Sequence, residues 1–356
     1  MIIIRHRVRM SGPDRTSIAP SRLKPLPLVD ASALSPYIAF LSSRAVDVRR
    51  YLRMTQLTAA VFESPERKIS KVQAYRFLEA CADGEGMPDL GFLVGDRFGL
   101  EQMGPLGELT RAASTLGEAL DIFCRQLGRW IGGAKAWLEP DGDLIWLVNS
   151  SDDGLRLDRR VANQNSLLLS INLVRLAAEP SWTPPAIKVA DSDRMAAEGL
   201  ETLGDSRQVF HPEEVGIALQ TEMLAMPIAR SAQSPDCTRL DLAETPGTFQ
   251  AALTRTLRDQ IPHLGMVTLE MAAEICGTSQ RSLQRRLHAD GISFRQLGDR
   301  ARFEAARDLL LADPEITIAE VAAAVGYTSP NNFVRAFRKI TGTTPFRFAR
   351  RASGNR

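Results

Sequence analysis

Thr317-Ile-Ala-Glu-Val-Ala-Ala-Ala-Val-Gly326, followed by Ser329, Phe333, Arg335 and Phe337, decides how this 356-residue chain is read. An echo stands 49 to 50 residues upstream: Thr268-Leu-Glu-Met-Ala-Ala-Glu-Ile-Cys-Gly277, followed by Ser279, Leu283, Arg285 and Leu287. Each copy predicts a helix, a glycine-containing turn and a second helix, giving helix-turn-helix motifs over 268–288 and 317–339. Thr317 with Glu320 three residues on has the form of a capping box, and Gly277 and Gly326 end their helices where a left-handed backbone is needed. Small residues, Ala272, Ala273, Ala322 and Ala323, let the second helix cross the first closely. Ser279 and Ser329 are expected to cap the second helices, with Pro330 at a first position where a missing N–H costs nothing.

In those second helices Leu283 with Leu287, and Phe333 with Phe337, recur at four-residue spacing and must face the core. Gln280, Arg281, Gln284 and Arg285 are left outward in the first, and Asn331, Asn332, Arg335 and Arg338 in the second. These side chains suit base edges in duplex DNA: Arg donates twice to guanine, while Gln and Asn pair with adenine. The competing reading of any one of them is a solvated surface residue or a phosphate contact without sequence information. Between the motifs, 293–311 reads as one helix with Phe294, Leu297, Ala301, Ala305 and Leu309 on a single face. Its length of roughly 28 Å is near the ~34 Å between successive major-groove faces, so one chain is expected to reach two adjacent grooves.

Charge points the same way. The whole chain carries only +2, but residues 248–356 hold sixteen Lys and Arg against ten Asp and Glu, a net of +6, leaving −4 on the rest. A basic segment beside an acidic one suggests a nucleic-acid module joined to something with another task.

The region resembles the AraC/XylS family of bacterial transcription regulators. The matching stretches are Val321-Ala-Ala-Ala-Val-Gly-Tyr327, Phe333-Val-Arg-Ala-Phe-Arg338 and Thr341-Gly-Thr-Thr-Pro345, within about 100 residues. Two positions depart from the pattern: Pro330 stands where many members carry a polar residue, and Phe348-Ala349 replaces a common Tyr-Arg. The resemblance implies double-stranded promoter DNA as partner, with RNA polymerase as a further candidate.

Upstream, Pro88-Asp-Leu-Gly-Phe-Leu-Val-Gly95, Gly104-Pro-Leu-Gly107 and Ser114-Thr-Leu-Gly-Glu-Ala-Leu120 resemble the N-terminal domain of the subgroup that includes ornithine and arginine regulators and the VirS type. That resemblance implies a small-molecule effector and a homodimer; no effector-binding residue is assigned. The alternative is a module that only dimerises or binds a protein partner.

The N-terminal pattern is mixed. Ile69, Val72, Phe77, Leu78 and Cys81 share one side of a helix that Asp83-Gly84 would stop, and Leu116, Ala119, Leu120, Phe123, Cys124 and Leu127 share one side of another. Apolar runs across 136–148 flank Asp141-Gly142, a hairpin signal. Residues 159–178 read as helix, and 186–189 and 215–219 as strands. Polar, broken sequence over 229–246 reads as a linker. The expected organisation is therefore α+β. A poorly ordered tail (1–27) and a mixed sensor and dimerisation domain (28–230) precede a linker (231–247), and an all-α domain (248–356) carries both motifs joined by the long helix. A polar linker transmits little torque, so an effector is expected to act by altering dimer geometry.

The exclusions are chemical. No stretch approaches the roughly 18 consecutive apolar residues of a spanning helix. Met1-Ile-Ile-Ile-Arg5, then Arg7 and Arg9, reverses a signal peptide's order, which favours the cytoplasm. Cys81, Cys124, Cys237 and Cys276 lie far apart and read as reduced thiols, and His6, His211, His263 and His288 lack metal spacing. His288, closing the first outward-facing helix, reads as a surface residue or a phosphate contact. There is no GxSxG or HExxH, Gly84-Glu-Gly86 lacks a third glycine, and Gly128–Lys135 lacks the glycine-lysine adjacency of a phosphate loop, so neither catalytic residues nor a cofactor are expected. Trp130, Trp137, Trp146 and Trp182 are read as core rather than pocket.

Overall fold

The computed structural model describes residues 25–58, 67–95, 99–151, 154–155, 157–190, 201–228, 248–313 and 315–353. The expected linker (231–247) and the expected tail up to residue 24 lie outside them.

The N-terminal half opens with β1 (Leu28–Asp30), antiparallel to β2 (Lys68–Ser70). Packed around this ribbon are α1 (Ser35–Ser43), α2 (Val48–Met54), α3 (Lys71–Gly84) and α4 (Leu90–Gly95), over a core that includes Tyr37, Leu41, Tyr51, Phe77 and Leu90. Next come α5 (Pro105–Arg111) and α6 (Leu116–Trp130), the hairpin of β3 (Ala134–Asp141) and β4 (Leu144–Ser151), and α7 (Arg160–Val174). The half closes with β5 (Ala186–Val189), β6 (Arg207–Phe210) and β7 (Glu214–Gln220). The five strands lie in the order β3-β4-β7-β5-β6, antiparallel except where β5 meets β6.

Local chemistry explains the pieces. Asp141 pairs with Leu144, so Gly142 and Asp143 form a two-residue turn, and Gly142 takes the φ of +61° that such a turn requires at its first central position. Alternation along β4 sends Ile145 and Leu147 into the core beneath the helices, and Trp146 and Val148 to the opposite face. The indole of Trp146 donates to Asp141 Oδ2 at 3.2 Å. Thr115 caps α6 by accepting from Glu118 N.

One element differs from expectation. Ile69 belongs to β2, not to the helix, because it pairs with Val29, and α3 starts only after Ser70, whose Oγ accepts from Val72 N at 3.2 Å.

The C-terminal half is helical: α8 (Phe249–Leu264), α9 (Leu269–Ile275), α10 (Gln280–Ala289), α11 (Phe294–Ala312), α12 (Ile318–Ala324), α13 (Pro330–Thr341) and α14 (Pro345–Ser353). Leu297, Ala301 and Ala305 of α11 are buried as expected, but at its end Leu310 is buried and Leu309 only partly so. Four-residue steps overrun the helical turn by about 40°, so a row of them winds off the core. Leu26, at the edge of the expected tail, is 2% exposed and joins this C-terminal core together with Leu28.

Burial pushes the thiols of Cys81, Cys124 and Cys276 up to about 12. At pH 8 they stay protonated and unreactive. Cys81 and Cys276 are expected to resist Ellman's reagent in the folded chain and to label fully in urea; mass mapping of the labelled peptides checks this.

Candidate nucleic-acid interface

Thr268 opens the first motif by accepting from Met271 N at 3.2 Å, and Ser279 caps α10 by accepting from Ser282 N at 3.2 Å. Leu283 and Leu287 are fully buried, while Gln280, Arg281, Gln284 and Arg285 all stand exposed. Their neighbour Arg286 turns the other way: its guanidinium lies 3.6 Å over the Phe249 ring, and burial lowers its pKa. It ties α10 to α8 rather than facing outward. His288 is exposed at the end of the helix.

In the second motif the capping box is complete. Thr317 Oγ1 accepts from Glu320 N at 3.2 Å, and Glu320 Oε2 accepts from Thr317 N at 2.8 Å and from the Thr317 hydroxyl at 2.7 Å. Those donors hold the Glu320 carboxyl below its usual range. Replacing Thr317 with alanine is expected to cost about 1 kcal/mol of stability. A depressed carboxyl pKa contributes stability above its unfolded value and loses it as pH falls through the lower folded value. Alanine keeps the Thr317 N–H, the larger cause of the depression, and the cap bond it loses does not titrate. The gap in melting temperature should therefore narrow in acid only by the share of the hydroxyl's donation to Glu320, which calorimetry at several pH values would follow.

Ser329 departs from expectation: it occupies the cap position of α13, but its hydroxyl makes no capping bond. Its carbonyl instead accepts from Asn332 N at 3.1 Å and Phe333 N at 3.2 Å, so those amides are already served. Phe333 and Phe337 are each 2% exposed. Phe337 lies 5.2 Å from Phe303, 5.7 Å from Phe333 and 5.6 Å from Phe348 between ring centroids. Asn331, Asn332, Arg335 and Arg338 face out, and Arg335 Nη2 donates to Asn332 Oδ1 at 2.5 Å. All eight residues expected to face outward on the second helices therefore do so, in two groups, one per motif.

The halves also touch each other directly, which sequence reasoning missed. Ser70 Oγ donates to Ile275 O at 2.6 Å, Arg76 Nη1 to Glu274 O at 3.0 Å and Arg67 Nη1 to Asp259 O at 2.9 Å. Gln260 Nε2 donates to Gln73 Oε1 at 2.9 Å. Thus α3 seats the carboxyl end of α9, where helix carbonyls want donors and cations. The turn of the first motif rests on it: Gly277 has φ +63°, and a Cβ there would lie 3.1 Å from Val72 Cγ2. Gly277→Ala is expected to destabilise by about 1 to 2 kcal/mol from backbone strain alone. Urea denaturation measures it.

Two helix-turn-helix motifs in a basic helical unit, each with an exposed polar face on its second helix, define a DNA-binding transcription regulator fused to a mixed α/β domain. Residues 272–351 match the family described as a helix-turn-helix domain, and residues 46–228 match the N-terminal arabinose-binding domain of AraC transcription regulators. An uncharacterized HTH-type transcriptional regulator of Mycobacterium tuberculosis is 39% identical over 333 residues, covering 87% of this chain and 93% of that protein. The ornithine utilization regulator of Pseudomonas aeruginosa is 27% identical over 301 residues, covering 80% and 85%. The HTH-type regulator VirS of Mycobacterium tuberculosis is 23% identical over 337 residues, covering 89% and 95%. The chain belongs to the AraC family of transcription regulators, a family of regulators and not of enzymes. No described helix is long and apolar enough to cross a membrane.

Proposed function

We propose that the chain recognises promoter DNA by placing α10 in one major groove and α13 in the next, with α11 fixing their separation. Gln280, Arg281, Gln284 and Arg285 read one half of the site; Asn331, Asn332, Arg335 and Arg338 read the other. It works as a homodimer in the cytoplasm, adjusts RNA polymerase activity from the promoter, and takes its cue from a small molecule held in the N-terminal half. The observation that carries this reading is the exposure of both polar faces in the intact chain, with the N-terminal half docked against α9 and α8 instead. The 19 residues of α11 span roughly 28 Å, a length that supports two-groove contact.

Gel shift and footprinting on the DNA upstream of its own and neighbouring genes test the proposal. A specific complex that survives competitor DNA, with protection in patches one helical turn apart, is the expected result. A single protected patch, or binding without sequence preference, overturns it. Titration calorimetry against a panel of metabolites tests the effector separately, since an effector acts only through different affinities for two states.

A further inference from the structure

A partly open cavity of about 100 Å³ lies between strands β4 and β7 and helices α1, α3, α6 and α7. Its wall is mostly apolar, with Leu78, Phe123, Leu127, Trp130 and Leu169 supplying large surfaces. Asn149 breaks that wall. It is 5% exposed and sits on the face of β4 that sends Ile145 and Leu147 inward. Its Nδ2 donates to Ser170 Oγ at 2.9 Å, and the Ser170 hydroxyl in turn donates to Ser166 O at 2.9 Å. With the one Ser170 proton committed, the Asn149 amide has only one sensible orientation. Its Oδ1 is left buried without a hydrogen-bond partner among the described residues, as is Nδ2 of Asn165 in the same wall.

A buried carbonyl oxygen without a donor is costly, and it repels a carboxylate. Arg159, the cation in the wall, donates to Ser151 O at 3.2 Å and Leu155 O at 3.0 Å, and Glu213 in the same wall brings the formal charge of the lining to zero. Those features select a small, uncharged, mostly apolar molecule that offers one N–H or O–H. The same wall has a mechanical connection. Ala74, Tyr75 and Leu78 line the cavity from α3, the helix whose cap residue Ser70 holds Ile275 O and whose Arg76 holds Glu274 O.

We propose that this cavity is the effector site, that Asn149 Oδ1 accepts the ligand's donor, and that α3 carries occupancy to the first helix-turn-helix. The inference rests on reading the chain as an effector-controlled regulator. It replaces a route through dimer geometry alone with a direct one.

The test uses the full chain and three matched probes at up to millimolar concentration: phenol, which donates; anisole, which cannot; and benzoate, which is charged. Phenol should bind about tenfold tighter than anisole, the worth of one good net hydrogen bond, and benzoate should not bind. In Asn149→Leu the preference of phenol over anisole should vanish. Hydrogen exchange should report a phenol-dependent change at residues 274–278, lost in Ser70→Ala/Arg76→Ala while phenol still binds.

Absence of binding by all three probes, equal affinity for phenol and anisole, or a preference that survives Asn149→Leu overturns the site. A phenol complex with unchanged exchange at 274–278 overturns the relay. Gel shifts on the same samples keep the two questions apart. A chain that shifts its operator but ignores phenol loses this proposal alone, whereas one that finds no operator loses the DNA-binding proposal whatever phenol does.

Discussion

Changing Arg285 or Arg335 to alanine is expected to cut the preference for the cognate operator over a site altered at the contacted base by about 5- to 150-fold. That range corresponds to about 1 to 3 kcal/mol for a guanidinium that donates twice to one guanine. Both side chains are exposed and carried on helices whose opposite faces are locked by Leu283, Leu287, Phe333 and Phe337. Arg335 begins paired with Asn332, but one bond of its fork leaves further N–H groups for a base. An Arg that meets only phosphate behaves differently: its loss weakens all sequences alike and lowers the salt slope by about 1. Competition gel shifts over a range of salt separate the two. Specificity untouched by either change would remove both residues from the base-reading set.

Phe337→Ala is expected to cost about 3 to 5 kcal/mol, because the ring is almost wholly buried and the site cannot collapse around its absence. Phe303 comes from α11, Phe333 from α13 and Phe348 from α14, so three helices lose one shared contact. Urea unfolding should show the C-terminal half melting first while the signal from the N-terminal sheet persists. A loss below about 1 kcal/mol would mean that the aromatic cluster is not what holds the second motif together.

The parts of this architecture legible in sequence are those fixed by near neighbours. A cap, a glycine and a four-residue apolar spacing act within a dozen residues, which is why the outward positions of α10 and α13 agree with the structure. Helical phase alone separates exposed Arg285 from Arg286, stacked on Phe249. The β3–β4 hairpin, with Gly142 in its turn, is equally local. What stayed hidden depends on distant partners. Ile69 becomes strand because Val29 lies beside it, and a run of three paired residues leaves no periodic trace. Ser70 meets Ile275 across 205 positions of chain, a contact no spacing rule foresees. The cavity draws its wall from Val29 to Val215 and has no motif of its own. Ser329 shows the remaining failure: the residue type suits a cap, but competition for the same amides is decided by backbone geometry.

The hold of Arg67, Ser70 and Arg76 falls on main-chain oxygens of Asp259, Ile275 and Glu274, not on side chains. Every amino acid brings the same carbonyl oxygen to that place. On the proposed reading, mutation can therefore rewrite which operators are preferred, by exchanging tips on α10, without disturbing the grip through which the other half of the molecule is heard.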